Sequence, residues 1–139
     1  MPPLTRLFIK SALVYLVAAL VAGALLALPV DAAAHPILTA FAPTYLHLLM
    51  IGWLTQLIFG VAYWMFPRYT RERPRGSRAL AATTYATLNA GLLLRAVAEP
   101  AVALRAGPAW GWALAASAVL LWLASLLFLA NTWGRVKER

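Results

Sequence analysis

A handful of side chains in this sequence have types and spacings that could do chemistry. His47 stands near the start of a long apolar run, residues 44–66. A histidine in such a run is costly to keep without a partner. Its imidazole could be an axial ligand to a haem iron, or it could donate one hydrogen bond to a neighbouring helix; the residues alone leave both open. On a helical wheel Met50, Ile51, Leu54 and Ile58 continue the His47 face, a wall suited to a flat apolar cofactor, with Thr55 at its edge. Arg95 and Glu99 are four residues apart, close enough to pair on one helix. A self-neutralising ion pair is the simpler reading, and an anion such as a haem propionate at Arg95 is the sharper one. His35 precedes Pro36 and could reach a metal or haem near the same surface, although loop histidines are usually solvated. Twelve residues separate His35 from His47, so they form no contiguous metal motif. With no acidic cluster beside them, a hydrolytic or purely inorganic metal centre has little support.

The elements that must position these groups are apolar. Of 139 residues, 63% are hydrophobic and 12% charged, where a soluble domain carries about a quarter charged. Four apolar runs predict an all-α integral membrane four-helix bundle in a single domain, 1–139, with helices over 7–29, 44–66, 77–103 and 109–133. The first run, followed by Ala32, Ala33 and Ala34, has the look of a signal peptide. Its apolar core exceeds the usual length of about 7–15 residues, so it reads as the first transmembrane helix. Pro29, Pro36 and Pro43 punctuate the connection over 30–43 and predict an irregular loop there.

Charge sets the expected orientation. The N-terminus, the second loop and the tail hold ten Lys or Arg between them, and the other two connections hold one, Arg105. The positive-inside rule then puts both termini and the second loop in the cytoplasm, an N-in/C-in topology for a bacterial or archaeal cytoplasmic membrane. Trp110 and Trp112 would lie at the outer interface, Tyr69 and Trp133 at the inner one. His47, Arg95 and Glu99 would share the outer third of the bilayer. The same topology explains the net charge of +8 better than nucleic acid does, and the five arginines of the second loop suit anionic lipid. Gly52, Gln56 and Gly60 form an i, i+4, i+8 row that reads as helix contact. The absence of cysteine excludes disulfides, thiolate metal sites and covalent haem attachment through CxxCH. Arg95, Glu99 and Asn89 are too few to outline a transport pathway.

The second apolar run carries a further signal. His47, Leu54-Thr55, Gly60, Tyr63-Trp64 and Pro67-Arg68 together resemble a ligand-bearing helix of the catalytic subunit of haem-copper oxidases, above all the C-type oxidases and the related nitric oxide reductases. That subunit is built from twelve helices in three four-helix arcs, and the second helix of each arc carries histidine ligands towards the outer side. The resemblance implies that this chain is similar to one arc and that copies associate, as a trimer by preference or as a dimer with two His47 facing one haem. It implies haem b as cofactor, with copper or non-haem iron as poorer candidates. His47 would be the axial ligand and Arg95 would neutralise a propionate. The second axial position would go to His35, to a neighbour's His47, or to no residue. The departures matter equally: the first, third and fourth helices contain no histidine, so one protomer cannot assemble the family's gas-reducing centre, and whether the chain is an enzyme stays open. The resemblance thus implies an electron-transfer or accessory component of a respiratory complex, partnered by oxidase or nitric oxide reductase subunits. The alternative is a structural or assembly subunit of such a complex without its own cofactor.

Overall fold

Proline placement decides where the helices begin. The computed structural model describes residues 1–29, 35–67, 75–105 and 107–136, all helices and connections with no strand among them. Helix α1, Pro3–Leu26, starts with a proline in its first turn, where the missing N–H costs nothing. The same rule corrects the loop expected over 30–43 within its described part, 35–43. Pro36 opens the short helix α2, Pro36–Ala40, and Pro43 falls in the first turn of α3, Ala42–His47. A proline in a first turn starts a helix as readily as it ends one, so the second long rod begins at Pro36 and not at Thr44.

That rod is not uniform. After α3 come eight residues of π-helix, Leu48–Thr55, and then α4, Gln56–Met65. Thr55 Oγ1 donates to the Met50 carbonyl five residues back, at 2.8 Å, a span that suits the wider π turn. π segments are rare and usually a single turn. This one brings Gly52 hard against helix α1 and its neighbour: a Cβ there would lie 2.8 Å from both Tyr15 and Leu92.

The third rod, α5 (Arg78–Ala103), is capped by Ser77, whose hydroxyl accepts from Leu80 N at 3.3 Å. The fourth, α6 (Ala109–Thr132), runs into a 3-10 turn, Trp133–Arg135. Pro3–Leu26, Pro36–Met65 and Ala109–Arg135 are three helices long and apolar enough to cross a membrane. Helix α5 is of similar length but carries Asn89, Arg95 and Glu99.

Helix α1 lies along the second rod, and α5 lies along α6. The α1 contact is made by the Gly52, Gln56, Gly60 row: all three are buried, Gln56 Nε2 reaches the Phe8 carbonyl at 3.5 Å, and a Cβ on Gly60 would meet Phe8 Cβ at 2.7 Å. Between the two hairpins sits an aromatic core. Phe59 stacks on Phe128 with centroids 3.8 Å apart, and Phe8 meets Tyr85 edge-on at 5.1 Å. Lipid tails give little hydrophobic drive to helix association, so close van der Waals contact and interhelical hydrogen bonds hold such an arrangement together. The exterior is correspondingly apolar, with Val14, Val17, Leu20, Trp122 and Leu129 all exposed. In water an apolar surface this extensive is untenable; against lipid it is the expected finish. These features mark a membrane protein in contact with the bilayer.

Candidate functional site

Three of the residues singled out by spacing meet at one end of the helices. Glu99, in the last turns of α5, is buried at 7% exposure. Its Oε1 lies 2.9 Å from His47 Nδ1 and 3.3 Å from Arg95 Nη1. Its Oε2 accepts from the Thr44 hydroxyl at 3.0 Å. The intrahelical Arg95–Glu99 pair therefore exists, and His47 joins it from the second rod. Three donors on one carboxylate offset much of the cost of burying it.

The neighbours of His47 define its tautomer. Nδ1 faces only acceptors, the Glu99 carboxylate and the Pro43 carbonyl, the latter also at 2.9 Å. Nε2 faces Arg95 Nη1 at 3.3 Å, and a guanidinium can only donate. Nδ1 thus carries the proton and Nε2 the lone pair. Pro43 stands one helical turn before His47, so the first turn of α3 fixes one side of the ring and α5 the other.

Arg95 reaches further. Its Nε donates to Ser117 Oγ at 3.1 Å, and Ser117 in turn donates to the Gly91 carbonyl at 2.7 Å. The guanidinium thereby ties the second rod, α5 and α6 together at one level. Thr44 and Ser117 escaped the sequence reading because hydroxyls are common in membrane helices and only the fold brings them to Arg95 and Glu99. Ser117 is fully buried, and its position midway along an apolar stretch of α6 is the one signal its sequence context offered.

The expected cofactor wall looks outward. Met50 and Ile58 are each 52% exposed and Leu54 40%, so that face meets the surroundings of the helices. A cavity of about 450 Å³ does exist nearby, but on the α1 side, lined by Val21, Leu25, Leu38, Phe41 and Leu48 with Thr44 at its edge. His35 is exposed at the start of α2. Its backbone carbonyl, rather than its ring, accepts from Leu38 N and Thr39 N, and none of its described contacts joins the His47 network. Among the described residues, no three His, Cys, Asp or Glu side chains lie together as a metal cluster.

The opposite end of the molecule has its own cluster. Arg135, fully buried, donates from Nη1 to Tyr63 O at 3.1 Å, from Nη2 to Phe66 O at 2.7 Å and from Nε to Pro67 O at 3.1 Å. Those are the last carbonyls of the second rod, which its own backbone leaves without partners. Arg135 was expected only as a tail charge that orients the chain, whereas it is also a helix cap. Lys137, Arg139 and most of the arginine-rich loop, Arg68, Arg71, Arg73 and the expected interfacial Tyr69 included, lie outside the described residues.

Comparison with protein-family models, curated proteins and solved structures gives no match to this chain. Its class is therefore set by the fold and the network: a helical membrane protein in which a histidine, an arginine and a glutamate share one hydrogen-bonded cluster.

Proposed function

We propose that the chain is a haem-binding integral membrane protein, a four-helix bundle with both termini in the cytoplasm, serving as an electron-transfer or accessory component of a respiratory complex. The observation that supports it is the presentation of His47. A carboxylate and a carbonyl on Nδ1 leave the Nε2 lone pair as the basic nitrogen, and metal-bound histidines typically donate their other ring N–H to an acceptor in this way. The donor chemistry fits a haem b: His47 would hold the iron, and Arg95 is the cation beside it that would face a propionate. Bound there, a haem would supply a one-electron couple. The chain's own contribution is to orient the imidazole, with Glu99 on the Nδ1 side; Nε2 would be open to a metal only with Arg95, now 3.3 Å from it, drawn to another anion. Copies would associate, a trimer ahead of a dimer, with the exposed face through Met50, Leu54 and Ile58 turned to a neighbour.

A reduced-minus-oxidised absorption spectrum of the purified protein tests this directly. Haem b bands that vanish in His47→Ala support it; intact protein with no haem bands removes it. One observation favours a second reading. Both ring nitrogens of His47 already have protein partners, as they would in a cofactor-free structural or assembly subunit of an oxidase or reductase. In that case His47→Ala weakens the fold or its docking and has no spectral consequence.

A further inference from the structure

A second polar cluster lies nearer the start of α5, facing α1. Two rungs cross between these helices. Ser11 Oγ and Tyr85 OH are 2.7 Å apart, and Tyr15 OH donates to Asn89 Oδ1 at 2.9 Å. Each rung advances four residues on both helices, so α1 and α5 run in the same direction and the rungs stand about 6 Å apart along the axis. They line a crevice of about 450 Å³ whose apolar wall includes Val14 and Leu93 and whose edge carries Lys10. That size is ordinary for a small-molecule site. Val14 and Leu93 are exposed, so the crevice opens to the surroundings of the helices.

The described hydrogen bonds do not use up the donors of this cluster. Ser11 and Tyr85 have two hydroxyl protons, and the contact between them uses one. Asn89 spends one amide proton on the Tyr85 carbonyl at 2.8 Å and keeps the other. One donor therefore remains at each rung, with an acceptor lone pair on Tyr15. A donor left over in hydrocarbon is expensive, so the favoured occupant carries two acceptors about one helical turn apart.

Depth narrows the choice. Tyr15 is at the middle of α1, about 18 Å along the axis from Pro3 at 1.5 Å per residue. In a hydrocarbon layer about 30 Å thick, the ester carbonyls and phosphate of a phospholipid stay near the surface and do not reach that rung. An apolar ring with oxygen atoms on opposite edges does. We propose that this crevice binds the head ring of a lipid-soluble quinone, one carbonyl at the Ser11–Tyr85 rung and the other at Asn89, with Val14 and Leu93 against the ring. The site is separate from His47 and does not rest on haem binding.

The test is retention of a decyl-substituted benzoquinone by the purified chain in zwitterionic lipid nanodiscs, quantified by extraction and chromatography. Saturable retention near one molecule per chain is expected, reduced about tenfold by Asn89→Leu, the loss of one buried hydrogen bond to the ligand. Leu93→Trp fills the crevice from its open side and is expected to abolish retention in a protein that melts as wild type does. Trp122→Leu, on the exposed face of α6, leaves it unchanged. Failure of the wild type to retain the probe saturably overturns the proposal, as does unchanged retention in the folded Leu93→Trp variant. Displacement by an equimolar anionic phospholipid would also overturn it in favour of a headgroup site. A haem spectrum of the same sample reads the His47 proposal independently.

Discussion

Glu99 holds His47 through Nδ1 at 2.9 Å and, with its other oxygen, holds Thr44 of the same first turn at 3.0 Å. One carboxylate from α5 thus fixes both the ring and the backbone segment that carries it. Changing Glu99→Gln keeps the shape but replaces one acceptor oxygen by a donor and leaves Arg95 without its counter-charge. Outer-shell changes of this kind cost about 10–100-fold in metal affinity. On the proposed haem-binding role, Glu99→Gln is expected to weaken haem retention by that factor relative to wild type, measured by titration of the purified protein with haem. Retention equal to wild type would mean that Glu99 does not orient the ligand.

The cluster was half legible in the sequence. The i, i+4 spacing of Arg95 and Glu99 predicts their pairing from helix geometry alone, and the expected depth of His47 puts it at their level. Thr44, Ser117 and the Pro43 carbonyl were not legible, because their roles depend on which helix faces which. The π segment was hidden for a different reason. Its residues, Leu48–Thr55, are as apolar as any α stretch, and the close approach of Gly52 to Tyr15 and Leu92 depends on helices distant in sequence. A wheel drawn at the α period therefore loses register just past His47. The prolines misled in the opposite sense: Pro36 and Pro43 read as loop signals but sit in first turns.

The Gly60 contact yields a second prediction. A methyl group there would lie 2.7 Å from Phe8 Cβ, an atom tied to its own helix backbone, so α1 must move. Gly60→Ala is expected to destabilise the protein by about 1–3 kcal/mol, the range for overfilling a close-fitting contact. Gly111→Ala is the control: nothing lies within 4 Å of its added Cβ, and the helix gains a better former. Thermal melting in one detergent should lower the first variant and leave the second unchanged or slightly raised.

The proposed topology can be read chemically, because the chain has no cysteine of its own. Single reporters at Ala109→Cys and Val136→Cys stand at opposite ends of the fourth rod, both exposed. With both termini inside, a membrane-impermeant maleimide labels the first in intact cells and the second only after permeabilisation. The reverse pattern would invert the expected depth of His47 and place its network at the cytoplasmic face.

Arg135 offers the sharpest separation of charge from geometry. Its guanidinium spans three carbonyls, those of Tyr63, Phe66 and Pro67, and its carbon lies 5.9 Å from the Phe66 ring centroid. If its role were only to orient the chain, lysine would serve as well. A lysine ammonium has no planar fork and cannot meet the same three acceptors in that geometry. Arg135→Lys should therefore keep the orientation but lose most of the cap, while Arg135→Ala loses all of it. A hydrogen bond from a charged donor contributes about 1.5–3 kcal/mol, and three that share one side chain are not additive. Arg135→Ala is expected to cost about 2–4 kcal/mol on that basis, with Arg135→Lys recovering less than half of the loss. Proteolysis within residues 63–67 should rise in step, because the frayed end of the second rod becomes the cleavable segment. Equal stability of the lysine and arginine proteins would reduce Arg135 to a positive charge at the membrane surface.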